Sequence, residues 1–309
     1  METITSTFGA LLVGGIVSAG LSGIVTVQGI VFFKLYPEDN LRLKVFVAIV
    51  WFLDLAHTAF VSAAVWHSLI KNFGKSDLVD VIPKSIAISV IFTAILTFLA
   101  QCFFARRIFK LSKRNYYLAS PILALSVLRL GAATASAGEM LKLRSYALFR
   151  EQFRWLFSVG LGLSSAVDIL TTVSLLLLLR RSRRQSLSMN EIIDELILYT
   201  LEIGSLTSLA TVVSLVCWLT LENNLVFLGI HFVIGKLYAN SLLATLNTRL
   251  EIGKNRVSAH NLMDLDVIRN AQGLQFFTPQ VNAQPDSRPS TGRKSVHKSD
   301  GDFANLGFS

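Results

Sequence analysis

HFVIGKLYANSLLATLNTRL, residues 231–250, sets one ammonium group, Lys236, inside a stretch otherwise made almost wholly of apolar and small residues. Such a stretch is a helix for oil, and a charge at its centre has to be explained. The chain as a whole decides which solvent the helix meets. It has 309 residues, of which 52% are hydrophobic and 16% charged, and its mean hydropathy is +0.54. A soluble domain carries about 25% charged residues. This chain is too apolar for water alone and requires a lipid bilayer as its second solvent.

Working outward from Lys236, seven apolar runs can be read: 8–33, 45–69, 86–104, 117–137, 155–179, 196–219 and 225–247. A helix rises 1.5 Å per residue, so about 20 residues cross the ~30 Å hydrocarbon layer. Lipid offers the backbone no hydrogen bonds, so each run is expected to be a helix. The predicted fold class is all-α, a seven-transmembrane-helix bundle over residues 1–250. The first run has no basic flank before it and is too long for a signal-peptide core, so it reads as a retained span. It carries small residues four apart, Ala10/Gly14, Gly15/Ala19 and Ala19/Gly23, a spacing that lets helix backbones approach closely. Packing within the bundle is the expected use.

Orientation follows from lysine and arginine. With the N-terminus outside, the inner segments 34–44, 105–116, 180–195 and the start of the tail hold 15 basic residues, against 7 in the outer segments 1–7, 70–85 and 138–154. Basic residues accumulate on the cytoplasmic side, so the N-terminus is expected outside and the C-terminus inside. The same bias accounts for the net charge of +9 without nucleic acid. Trp51, Trp155 and Trp218 lie near run ends, as an interfacial aromatic belt would place them. Residues 251–309 are rich in Ser, Asn, Asp, Gln, Lys and Pro without sustained periodicity. Such a composition buries too little apolar surface to fold, and a disordered cytoplasmic tail is expected.

Ionisable residues recur at similar depth in several runs: Asp54 and His57 in the second, Arg129 in the fourth, Asp168 in the fifth, Glu202 in the sixth, and His231 and Lys236 in the seventh. A charge at the centre of a lone lipid-facing helix costs ~2.5–3.5 kcal/mol on insertion scales. Several together would cancel the net stability of a domain. They are therefore expected to face one another inside the bundle. Asp54 and His57, three apart, share a helix face. Asp54, His57, Arg129, Asp168, Glu202 and Lys236 are the candidate polar network, either a ligand, ion or proton site or a structural clasp that fixes helix register.

Sharper chemistries find no support. No H-x-x-x-H or H-E-x-x-H motif offers zinc ligands, and no G-x-S-x-G or Walker loop is present. A retinal Schiff base on Lys236 would need a nearby carboxylate counter-ion, and the third run contains no acid. No metal, cofactor or enzymatic activity is expected. The two cysteines, Cys102 and Cys217, both lie within apolar runs and imply no disulfide framework. The third run closes with Gln101, Arg106 and Arg107, expected at the inner face, where basic side chains cap helix carbonyls and meet anionic lipid. RRSRRQSLS, residues 180–188, holds that end of the fifth run inside. Ser186 follows arginines two and three positions upstream and is a phosphorylation candidate, since phosphate would weaken the attraction of this basic run to lipid.

Several blocks, in order, carry a resemblance: QGIVFFKLYPEDNLRLK (28–44), LDLAHTAF (53–60), QCFFARRIFKLSKRN (101–115), Asp168, GSLTSLATV (204–212) and KLYANSLLATLNTR (236–249). Together they resemble a family of seven-span membrane proteins numerous in mushroom-forming fungi and catalogued as a domain of unknown function. VIPKSIAIS (81–89) departs from the aromatic pattern of that family before the third helix. The resemblance implies a multi-pass membrane location and supplies no activity. The function expected is that of a receptor-like or sensory membrane protein with a polar intramembrane site. The alternative is a transporter or channel-like protein for a small polar solute or ion. The expected partners are the lipid bilayer, a small-molecule ligand, and a cytoplasmic partner at the inner loops and tail. The plasma membrane is favoured over an internal one.

Overall fold

The computed structural model describes residues 2–71, 80–185, 190–221 and 224–248. It is a bundle of α-helices: α1 (Glu2–Leu35), α2 (Leu41–Trp66), α3 (Lys84–Leu111), α4 (Tyr116–Leu143), α5 (Tyr146–Gln185), α6 (Asn190–Thr220) and α7 (Val226–Asn247). A π-helical turn, His67–Lys71, continues α2. Among the described residues six helices are long and apolar enough to cross a membrane: α1, α2 with its π turn, α3, α4, α5 and α7. The described apolar part of α6 is Gly204–Thr220. Large apolar side chains such as Val13, Ile16, Val27, Phe52, Val127, Leu177 and Leu209 stand exposed around the perimeter. So many on one surface suit acyl chains and not water. The chain is a multi-pass α-helical membrane protein.

Most helices exceed their apolar runs, α7 matching its own within a residue. The run at 155–179 lies within α5, 40 residues with a kink at Phe153, and that at 86–104 within a helix of 28. Hydropathy marks where a helix meets lipid, whereas polar helix formers carry it on into the interface. Side chains fix several ends. Asn40 accepts from Arg42 N (3.2 Å) before α2, and Asn115 accepts from Tyr117 N (3.0 Å) before α4, each covering an amide that helix geometry leaves open. Lys113 and Arg114 take positive φ in the tight α3–α4 turn. At the opposite end, Val81 pairs with Ser145, and Asp80 accepts from Ala147 N (2.8 Å) and from the Ser145 hydroxyl. The segment before α3 thereby holds the start of α5.

α7 is the central helix. It packs on α1, α2, α3 and α6 and is buried on most sides, from Phe227 through Leu246. Its approach to α1 depends on glycine: a Cβ on Gly14 would collide with the backbone of Gly229, and one on Gly229 with Ala10 O. The Ala10/Gly14 stripe is thus used inside the bundle. Gly15 lies against Val65 of α2, and Gly23 has open space beside it.

Two apolar layers fill the interior. One, at the end where α1, α3, α5 and α7 begin (the amino end), contains Leu11, Val61, Ile86, Phe157, Trp218 and Phe232. The other, at the far end, contains Phe32, Val50, Phe104, Ile108, Leu175 and Leu243. The buried ionisable groups lie in the band of sequence between them. One tryptophan departs from the aromatic-belt expectation. Trp218 is only 2% exposed, with ring centroids 4.8 Å from Phe157 and 4.6 Å from Phe227. Its indole N–H donates to Ser158 Oγ (3.0 Å), so the polar end that would have drawn it to the interface is satisfied within the protein. Ser186 and the tail 251–309 lie outside the described residues.

Candidate functional site

The charges expected to form one network form separate clusters. In the first, Lys236 and Asp54 are both fully buried and make an ion pair of 2.8 Å. The ammonium group has three hydrogens to donate, and all have acceptors: Asp54 Oδ1 at 2.8 Å, the Asp54 carbonyl oxygen at 2.7 Å and Thr58 Oγ1 at 2.6 Å. The second carboxylate oxygen of Asp54 accepts from Ser22 Oγ at 2.5 Å. Thr58 stands four residues beyond Asp54 and so returns to the same face of α2. Ser22 and Thr58 hydroxyls lie 2.9 Å apart. Each charge meets its opposite, and no donor of the ammonium is left over. This cluster ties α1, α2 and α7 together and has no free valence for a ligand.

The second cluster surrounds Asp168 of α5. Its Oδ1 accepts from Gln101 Nε2 of α3 at 2.8 Å and from the Tyr238 hydroxyl of α7. Its Oδ2 accepts, among the described residues, from Thr211 Oγ1 of α6 at 3.4 Å. Gln101 Oε1 in turn accepts from Thr171 Oγ1 at 3.0 Å. The group lines a cavity with an empty volume of about 430 Å³, open side included, whose walls also take in Arg107 and Thr245. It lies toward the far end of the bundle.

The third cluster lies toward the amino end. The Arg129 guanidinium of α4 sits 5.4 Å from the centroid of the Tyr238 ring, the same residue whose hydroxyl is committed to Asp168. Tyr238 thus stands between one permanent cation and one carboxylate. Arg129 lines a cavity of about 420 Å³, open side included, together with Thr93, Phe157, Ser164, His231 and Ile234. Both ring nitrogens of His231 are buried without a hydrogen-bond partner. Ser164 Oγ, beside the Tyr238 hydroxyl, makes no hydrogen bond of normal geometry. His57 reaches this wall through Thr93, whose Oγ1 is 3.0 Å from His57 Nε2. Two adjacent buried side chains, His231 and Ser164, with unmet hydrogen-bonding capacity among the described residues are unusual, because nearly all buried polar groups find partners.

Asp54, His57, Arg129, Asp168 and Lys236 are accordingly all buried, but they divide among three settings. Asp54 and His57, on one face of α2, serve different clusters. Glu202 corrects the expectation: it is exposed. The buried face of α6 carries Thr207, Thr211, Ser214 and Trp218. At about 100° per residue, Glu202 lies about 180° around the helix from Thr211 and at least ~120° from the others. Gln101 and Arg107, expected at the inner face, point into the bundle, while Arg106 is exposed. Ser22, Thr58, Gln101, Ser164, Thr211 and Tyr238 were missing from the sequence-based site. The available signal was spacing: Thr58 stands four residues after Asp54, and Thr171, which donates to Gln101 beside Asp168, three after that acid. Among the described residues no three His, Cys, Asp or Glu side chains converge to hold a metal ion.

Comparison with known proteins places part of this arrangement. Residues 164–251 match a family of unknown function, DUF6534. That segment runs from Ser164 of α5 through α6 and α7 and includes Asp168, His231, Lys236 and Tyr238. Asp54, Gln101 and Arg129 lie outside it, as do the sequence blocks before residue 164. No curated protein and no solved structure matches the chain.

Proposed function

We propose that this chain is a receptor-like, seven-span membrane protein, a binding protein and not an enzyme, that takes a small ligand into the cavity lined by Arg129, Ser164 and His231. The observation that carries the reading is the unmet hydrogen-bonding capacity of Ser164 and His231, which face one cavity together with the Arg129 guanidinium between otherwise well-packed layers. A purely structural cluster is saturated from within, as the Lys236–Asp54 pair is. Connectivity supports a seventh span. α5 ends at the far end and α7 begins at the amino end, so α6, packed on both, has to cross between them. The basic far end, with Lys34, Arg42, Lys44, Arg106, Arg107, Lys110, Lys113 and Arg114, supports a cytoplasmic location for that end. Two arginines of the amino end have another task. Arg150 donates to Trp218 O (2.5 Å) and Leu221 O (3.1 Å), and Arg154 to Leu219 O (2.7 Å), so they cap the last carbonyls of α6. The sequence blocks before residue 164 support extending membership of the fungal seven-span family to the whole chain.

The test is retention of a bound molecule. Full-length protein is purified from membranes in mild detergent, its small-molecule content is extracted, and mass spectrometry compares wild type with Gly160→Leu. Gly160 lines the cavity, and leucine is also the better helix former. A molecule held near one per chain by wild type and depleted at least about tenfold in the folded variant is expected. Equal retention by both, or none by either, refutes the reading.

Transport is the second reading. It is favoured by the second cavity, beyond Tyr238, which together with the first would outline a path interrupted at Arg129, Tyr238 and Asp168. Helix geometry places it second: the backbone stays helical around Asp54 and Asp168, the kink of α5 falling well away at Phe153, unlike transporter helices that break at the binding site.

A further inference from the structure

The chemistry of the Arg129 cavity narrows the class of ligand, and this inference rests on the ligand-binding reading above. Arg129 carries five N–H donors and a charge that is not lost. It is 8% exposed, and its guanidinium stands over the face of the Tyr238 ring. A ring face offers a cation only a quadrupole and takes up none of the N–H groups in ordinary hydrogen bonds. No carboxylate lines the cavity. The nearest acid on the Tyr238 side, Asp168, faces the other cavity and is held there by Gln101, Tyr238 and Thr211. Lys236 adds no net charge to the site, because the Asp54 carboxylate pairs with it at 2.8 Å.

One permanent cation with a planar fork of donors matches one planar anion. His231, 7% exposed, and Ser164, 1% exposed, stand ready with further polar atoms on the same wall. The rest of the lining is apolar: Val90, Ala94, Phe157, Leu161 and Ile234. We propose that the cavity binds a small monocarboxylate, its carboxylate on Arg129 with His231 and Ser164, its short hydrocarbon body against Phe157, Leu161 and Ile234. A second negative charge would find no second cation in the lining. An ammonium ligand would meet Arg129 with like charge. A neutral ligand could accept from the fork but would leave its charge without a counter-charge.

The experiment titrates full-length protein in lipid nanodiscs with butyrate, 1-butanol, butylammonium and chloride at constant ionic strength. Binding is read as ligand-dependent thermal stabilisation and by calorimetry. In wild type, butyrate is expected to bind at least about tenfold more tightly than any of the other three. Arg129→Gln should bring butyrate and butanol within about twofold of each other. Arg129→Lys keeps the charge without the fork and should retain part of the preference, which guards against a Gln variant that fails to fold. Gly160→Leu should abolish binding of every probe. Butanol binding as tightly as butyrate, or butylammonium more tightly, overturns the monocarboxylate and leaves the cavity as a ligand site. Chloride equal to butyrate overturns the carboxylate in favour of a simple anion. Absence of binding by all four probes overturns the proposal. The ligand-binding reading itself then stands or falls on retention of the native molecule.

Discussion

Cutting the Lys236–Asp54 pair from one side should damage the protein more than removing it altogether. Lys236→Met deletes the three hydrogen bonds of the ammonium and leaves the Asp54 carboxyl fully buried without its counter-charge, with Ser22 as its remaining side-chain donor. Asp54→Leu leaves the ammonium with Thr58 and one carbonyl oxygen. Removing one partner of a buried ion pair costs about 3–5 kcal/mol, whereas replacing both with apolar residues is often neutral. Each single variant should therefore lose about 3–5 kcal/mol, roughly a hundred- to several-thousand-fold in the folded-to-unfolded ratio, while Asp54→Leu/Lys236→Met should lose less than either. The coupling is then at least about 3 kcal/mol, far above the ~0.5 kcal/mol scatter of independent sites. Denaturation in mixed micelles, followed by Trp fluorescence, gives the four free energies of the cycle. Butyrate binding by the double variant should stay near wild type, because the clasp has no open donor. Additive losses, or single losses below about 1 kcal/mol, would refute the view that this pair is closed and structural.

The α1–α7 contact supplies a second expectation. Gly229→Ala should separate the helices and cost about 1–3 kcal/mol, the usual range for overpacking, whereas Gly23→Ala, with open space beside it, should hold or raise the melting temperature, since alanine is the better helix former. Tyr238→Phe retains the ring under Arg129 but removes a donor from Asp168. A cost of about 1.5–3 kcal/mol is expected, as for hydrogen bonds to charged groups, measured by the same denaturation. For orientation, single cysteines replacing Lys113 and Lys142 in a chain lacking Cys102 and Cys217 should label from opposite sides of sealed cells, Lys142→Cys from outside. The reverse pattern would invert the topology.

The lipid-facing architecture was legible because it rests on one strong physical contrast. Apolar runs locate helices at bilayer depth whatever their partners, and the cost of bare charge in lipid was enough to bury Asp54, Arg129, Asp168 and Lys236 in advance. Partner choice was not legible, since rotation and neighbourhood belong to the packed bundle. Glu202 shows the limit. Its run and depth resembled those of the others, yet α6 turns it away from Thr211. Gln101 shows the converse: it stands in a terminal basic block by sequence but lies on the inward face of α3 beside Asp168. Trp218 followed the same course, drawn inward by Phe157, Phe227 and an acceptor for its N–H.

A buried charge by itself does not separate architecture from function; the count of its unmet bonds does. Lys236 has as many acceptors as hydrogens, from one acid, one carbonyl and one hydroxyl. Such a group gains nothing from an added molecule and would have to break existing bonds to receive one. Arg129 has the opposite balance. Its charge is steadied by Tyr238 and, at a distance, by Asp168, while its donors face a cavity beside an unpartnered imidazole. An arrangement of that kind is costly when empty, and a ligand that completes it gains the full value of bonds the protein leaves unmade. The mid-membrane lysine that dominates the sequence therefore belongs to the scaffold, and the quieter arginine on α4 is where recognition is to be sought.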